Sequence, residues 1–274
     1  MVRFQHTVFA LPFAFAGALM ATNAMPPWAT LGWILLAMVG ARSLAMALNR
    51  LIDRRLDAAN PRTAARHLPS GRLTTGQVWA FAAVSLVAML VAVSQLPELT
   101  WWLWPIPVAL FVIYPYTKRV TWACHLVLGL SIGIAPIGGW IAVTGEFAVA
   151  PVLLWLAVAA WIAGFDVIYA LLDVDHDRQA GIHSIPARFG EGGALRIAAL
   201  LHLLAVVLLV LAGVGASVTW PYYVGVGLCA AVLVWEHATV RPGDDARIQA
   251  AFGTANGIIS LVFLAGVIAE VAVA

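Results

Sequence analysis

Residues 150–177 read APVLLWLAVAAWIAGFDVIYALLDVDHD. The run is apolar and unbroken for longer than the roughly 20 residues that carry a helix across a bilayer. Its hydrophobicity is continuous rather than alternating, which predicts a membrane helix and not a barrel strand. It ends in acids. Tyr169, Asp173 and Asp177 are spaced by four, so they share one helix face, with successive carboxylates about 6 Å apart along the axis. Asp166 lies on the same face, about 10 Å deeper. The pattern has a counterpart 120 residues earlier, in ALNRLIDRRLDAANPRT (47–63), where Asn49, Asp53 and Asp57 have the same spacing. Arg42 precedes Asn49 by one heptad, as Asp166 precedes Asp173.

The rest of the chain fits the same solvent. Of 274 residues, 63% are hydrophobic and only 10% charged, too little charge for a water-facing surface. Nine apolar stretches approach spanning length, roughly 7–24, 28–48, 76–96, 101–116, 121–144, 150–173, 193–214, 219–237 and 248–273. The expectation is therefore one all-α, polytopic membrane domain over residues 1–274 with nine transmembrane helices. The basic residues support that count. All 15 Lys and Arg lie at the N-terminus, in or near the connections after spans 2, 4, 6 and 8, or, for Arg42, inside span 2. The other connections hold only Glu98 and Glu146 as charged groups. The positive-inside rule then predicts a cytoplasmic N-terminus and an external C-terminus. The first stretch lacks an Ala-x-Ala site and reads as a span, not a cleaved leader. The formal net charge of +2 gives no reason to expect nucleic acid. Cys124 and Cys229 both fall in spans, where neither a disulfide nor a metal site is expected.

Spans 2 and 6 run in the same direction, so their acid rows reach the same membrane face. A parallel internal duplication with a site at the repeat interface would have this form, although the two segments share little beyond the acids. Carboxylate and amide oxygens are hard donors that suit Mg²⁺ or Mn²⁺, and Mg²⁺ completes its shell with water and substrate phosphates. Arg62, Arg66, Arg72, Lys118, Arg119 and Arg178 lie on the same side and could neutralise a diphosphate. A lone pair of acids near a span end is ordinarily a solvated terminus. Two rows at one depth, with Asp166 and Arg42 beneath them, read as a site, because intramembrane charge is costly. Arg54, Arg55 and Arg72 read equally well as topology determinants. His176 and His183 read as solvated loop residues. Asn256 either lines a cavity or bonds a neighbouring helix. An ion-coupled carrier also uses intramembrane acids, but its site sits near the midplane, whereas these acids gather at one surface.

The chain resembles the UbiA superfamily of intramembrane prenyltransferases. Asn49, Asp53 and Asp57 match the family's first motif, and NPRTAARHLPSG (60–71) resembles its loop, with His67 where the family has Pro. Tyr169, Asp173 and Asp177 followed by GIHSIPARFG (181–190) match the second motif. RFQHTVFALPFAFAG (3–17), YPYTKRVT (114–121) and LVLGLSIGIAPIGGWIAV (126–143) are also similar. The resemblance implies a helical bundle around a central cavity open to the cytoplasm and to lipid, in a bacterial inner membrane. It implies Mg²⁺-dependent transfer of a polyprenyl chain from its diphosphate to an aromatic acid, with no obligate protein partner. Asn49, Asp53, Asp57, Asp173 and Asp177 would bind the metal–diphosphate units, with Asp53, Asp166 and Asp173 as the catalytic acids. Lys118, Arg119, Arg62, Arg66 and Arg3 would grip the diphosphate. Asp166 matches a family acid close to the acceptor. Arg42, by helical phase alone, would orient the acceptor's carboxylate. The wording around the first motif resembles the 4-hydroxybenzoate polyprenyltransferase group, and within it the menaquinone members, whose acceptor would be 1,4-dihydroxy-6-naphthoate.

Overall fold

The structure, a computed structural model, describes residues 4–273, and all its regular elements among those residues are helical. In chain order they are α1 (Phe4–Met20), α2 (Trp28–Ile52), α3 (Arg54–Ala59), α4 (Thr75–Val93), α5 (Glu98–Leu103), α6 (Pro105–Thr117), α7 (Cys124–Gly133), α8 (Ala135–Thr144), α9 (Val149–Tyr169), α10 (Val174–Ala180), α11 (Ile185–Gly215), α12 (Trp220–Thr239), α13 (Asp245–Ala250) and α14 (Asn256–Val273). A 3₁₀ turn, Ala170–Asp173, joins α9 to α10, and a π turn, Ala251–Ala255, joins α13 to α14. Each predicted apolar stretch falls on one helix or on a consecutive set. At two of the breaks proline supplies the cause. Pro105 and Pro136 have no N–H to carry the ladder across from α5 to α6 and from α7 to α8. Thr74 and Gln77 form a reciprocal capping box that starts α4.

Seven of these helices or bent helix sets are long and apolar enough to cross a membrane. Large apolar side chains such as Trp28, Val84, Leu200 and Val234 are exposed. A surface of that kind is unfavourable in water and natural against lipid. The chain is an integral membrane protein.

One sequence expectation needs correcting. Neither acid row lies on a straight helix. α2 ends at Ile52, Asp53 leaves helical geometry with φ −90° and ψ 5°, and α3 follows. In the second row α9 gives way to the 3₁₀ turn, Asp173 has φ −116° and ψ 5°, and α10 follows. Both breaks fall on the central aspartate of the motif. The Asp57 N–H still donates to the Asp53 carbonyl at 2.7 Å, so the first row bends without losing its turn.

The elements that carry the acids are neighbours in space. α2 packs on α6, α6 on α7, and α7 on α9, which makes a continuous wall of four helices. The last contact depends on two glycines. A Cβ at Gly129 would lie 2.2 Å from the Ala159 carbonyl oxygen, and one at Gly133 2.6 Å from the Ala159 nitrogen. The i, i+4 pair lets the two backbones meet, as small residues do at helix crossings in membranes. The main apolar core lies on the other side of α9, where Phe13, Trp161, Tyr222 and Phe263 interlock among α1, α9, α12 and α14.

Candidate active site

The cavity enclosed by this wall has a volume of about 340 Å³. Asn49, Asp53 and Asp57 line it from α2 and α3, Asp166, Asp173 and Asp177 from α9 and its continuation, and Arg42, Arg62, Arg66 and Lys118 from around them. Nearly every residue expected to act together is thus brought to one place. Arg119 does not line the cavity but reaches it indirectly. Arg3 lies outside the described residues.

Asp53, Asp57 and Asp173 each have a counter-charge. Lys118 Nζ donates to Asp53 Oδ2 at 2.7 Å, and Asn49 Nδ2 donates to the same oxygen at 2.8 Å. Arg119 donates to the Ile52 carbonyl at 2.7 Å and approaches Asp53 Oδ1 at 3.4 Å. Asp57 accepts from Arg66 at 2.6 Å and lies 3.5 Å from Arg50. Asp53 and Asp57 are buried, and charges there are tolerable only because they are paired.

The second row is held by residues that follow the first. Arg62 forms a two-pronged contact with Asp173, with Nε donating to Oδ1 at 2.8 Å and Nη2 donating to Oδ2. Asn60 Nδ2 also donates to Oδ1, at 2.9 Å. Arg62 Nη1 donates to the Tyr169 hydroxyl at 3.0 Å, and the guanidinium sits 5.1 Å from that ring's centroid. Such fork-to-carboxylate pairs are strong and directional. Burial tends to discharge the Arg62 guanidinium, but the hydrogen bonds and charge of Asp173 outweigh it and hold it above its usual value. The loop after the second row is pinned in turn, because the His183 N–H donates to the Lys118 carbonyl at 2.8 Å.

Deeper in the cavity, His125 Nδ1 is 2.7 Å from Asp166 Oδ2. Arg42 Nε is buried and has no hydrogen-bond partner among the described residues. Arg42, Ala10 and Ile132 also line a second cavity of about 260 Å³, bounded by apolar residues such as Ile34, Met38, Phe111 and Ile141. The polar and apolar cavities therefore adjoin at Arg42.

The donor set fits a hard divalent cation, being all oxygen with neither thiolate nor a histidine cluster. Among the described residues no three His, Cys, Asp or Glu side chains converge as a ready-made metal cage. That suits Mg²⁺, which takes one or two protein carboxylates and draws the rest from water and phosphate.

Several residues at this site are not singled out by the sequence pattern. Asn60, Arg50, Tyr114 and His125 all line the cavity, as does His176, which was expected in a solvated loop and instead sits on α10. For His125 a signal existed, since an ionisable residue inside an apolar span is functional by default. His183 is exposed, as expected of a loop residue. Asn256 satisfies neither of its expected roles. It is buried outside the cavity and donates to the Phe252 carbonyl of its own helix set at 2.9 Å.

The fold and site together define a membrane-embedded protein with an acid-and-arginine cavity opening beside an apolar one. A model of the UbiA prenyltransferase family matches residues 10–266. The chain is 33% identical over 222 residues to a 4-hydroxybenzoate octaprenyltransferase of Tolumonas auensis, covering 81% of this chain and 77% of that one. Its backbone superposes on the apo structure of a UbiA homolog from Aeropyrum pernix K1 with a TM-score of 0.89 and 32% identity, over 98% of this chain and 99% of that one. It also matches a UbiA homolog from Archaeoglobus fulgidus bound to DMAPP and Mg²⁺, with a TM-score of 0.74 over 98% of this chain and 96% of that one, but at 17% identity that likeness concerns the fold alone. The chain belongs to the UbiA prenyltransferase family. Membership sets aside the carrier reading.

Proposed function

We propose that this protein transfers a polyprenyl chain from polyprenyl diphosphate to an aromatic acid, with Mg²⁺, in respiratory quinone synthesis. The observation that carries the reading is the cross-link between the two acid rows, in which Asn60 and Arg62, just beyond the first row, bind Asp173 of the second. The rows therefore face one cavity and can act on one diphosphate. Asn49, Asp53, Asp57, Asp173 and Asp177 would hold the metal, which would supply Lewis-acid stabilisation of the departing diphosphate. Arg62, Arg66, Lys118 and Arg119, which contact these carboxylates in the structure, would grip the diphosphate, with Arg3 a further candidate from the N-terminus.

The apolar cavity beside Arg42 suits the isoprenoid chain, and its walls keep water from the allylic cation. Arg42 at the junction would orient the acceptor's carboxylate and Asp166 would face its ring. The relatives' names point to 4-hydroxybenzoate, and the loop wording to 1,4-dihydroxy-6-naphthoate. The reading includes nine spans in one domain around a central cavity, with α1 and α12 completing the seven. The N-terminus and active site face the cytoplasm across a bacterial inner membrane, with no protein partner required.

The test incubates purified protein with radiolabelled polyprenyl diphosphate, Mg²⁺ and each of the two acids. A lipid-soluble product is expected that disappears on adding EDTA. No product with either acid, or product undiminished by EDTA, would overturn the reading.

A further inference from the structure

His125 belongs to no motif of the sequence, yet it is placed with care. It sits one turn before Gly129 and two before Gly133 on the α7 face that meets α9. The two glycines draw the helices together at Ala159, and the antiparallel course then sets His125 opposite Asp166. The histidine side chain is 5% exposed and the aspartate 26%. Both side chains border the cavity, and Asp166 is the more open of the two. A carboxylate can only accept, so the proton of this 2.7 Å contact lies on Nδ1. His125 Nε2 is buried with no partner among the described residues. The neutral Nδ1–H form leaves only a lone pair there, which costs less than an orphaned N–H.

We propose that His125 is a positioning residue for Asp166: it donates to Oδ2, fixes the carboxylate's orientation, and leaves Oδ1 to accept the hydroxyl proton of the aromatic acceptor. The inference rests on the prenyltransferase reading above. As the hydroxyl proton passes to Asp166, the ring carbon beside that hydroxyl bonds to the allylic carbon. The allylic C–O bond breaks and its electron pair leaves on the diphosphate. The ring is then a dienone. Loss of the ring proton to the diphosphate and return of the Asp166 proton to oxygen restore the phenol. The overall change is one C–H and one C–O bond exchanged for one C–C bond and a protonated diphosphate. Such a carboxylate has to be held still to work, since small misplacements of a catalytic group cost large factors in rate.

The test uses the full-length protein in nanodiscs and measures kcat and both KM values with the acceptor that turns over. His125→Leu removes the donor and should lower kcat about 10- to 100-fold while leaving KM for polyprenyl diphosphate unchanged. His125→Asn places an amide N–H where Nδ1 was and should stay within about 3-fold of the parent. In an Asp166→Asn background the leucine change should add little further loss, because both act through one group. Unchanged kcat in the leucine variant, equal loss in both variants, or full additivity with Asp166→Asn would each overturn the proposal. If the leucine variant does not fold, His125→Ala takes its place, and its kcat should rise on adding imidazole; no rise overturns the proposal. Parent enzyme that makes no product with any acceptor would instead sink the prenyltransferase reading.

Discussion

The two acid rows look alike in the sequence and share a helix break at the central aspartate, yet they are secured in different ways. The first row is built into the wall. Asp53 is 1% exposed and Asp57 6%, and their cations come from the end of α6, from α2 itself and from Arg66. The second row is latched from outside. Asp173 takes its hydrogen bonds from Asn60 and Arg62, both on the connection between α3 and α4. The difference teaches that the long connection is part of the site. It completes the second half with residues that belong to the first.

The comparison can be broken first at the aspartates. Asp53→Ala and Asp173→Ala should each abolish turnover, a loss beyond about 1000-fold, with the protein still recovered in the membrane fraction. Stability should separate them. Their cations are alike in exposure, but the Asp53 side chain is 2% exposed and that of Asp173 15%, so Asp53→Ala should cost roughly 2–3 kcal/mol and Asp173→Ala about 1 kcal/mol. Thermal denaturation in detergent would show the gap; equal melting temperatures would mean the rows are held alike. Next comes Arg62→Ala. It frees Asp173 and removes a diphosphate cation, so kcat/KM for polyprenyl diphosphate should fall about 10- to 100-fold while the acceptor KM holds. A smaller effect is expected at the junction of the cavities. Arg42→Ala should raise the acceptor KM about 10-fold through loss of a charged hydrogen bond, and an unchanged acceptor KM would remove Arg42 from the site.

The smallest contrast lies outside the cavity lining, between two buried glutamates. Glu270 is fully used, with Oε1 accepting from the Thr219 N–H at 2.6 Å and Oε2 from its hydroxyl at 2.9 Å at the start of α12. Both oxygens of Glu236 are buried without a hydrogen-bond partner among the described residues, the nearest charge-capable group being His202 Nδ1 at 3.7 Å from Oε2. Glu270→Gln should therefore cost about 1 kcal/mol, and Glu236→Gln should be neutral or slightly stabilising. Both variants should keep full turnover.

Much of this was legible from local pattern. The nine apolar stretches fall on the observed helices because membrane helices must satisfy their backbone internally and announce themselves by hydropathy. The acid rows were legible because four-residue spacing is a helical property. Their bends at Asp53 and Asp173 were not, since the motif alone does not mark where a helix ends. Arg62, Arg66 and Lys118 could be grouped with the acid rows by charge asymmetry, but not assigned to particular carboxylates. Asn60 lay unremarked between two better-known residues. His125 carried a signal as an ionisable residue in an apolar run, but nothing local named Asp166 as its partner.

What the sequence determined by itself was the solvent, the helices and the class of chemistry, for all of these follow from residues within a few turns of one another. The pairings were decided only in three dimensions. Lys118 with Asp53, Arg62 with Asp173 and His125 with Asp166 join positions 65, 111 and 41 residues apart. Contacts of that range depend on which helix faces meet, and that was settled by backbone approach at places such as Gly129 and Gly133, where the absence of a side chain carries no local message.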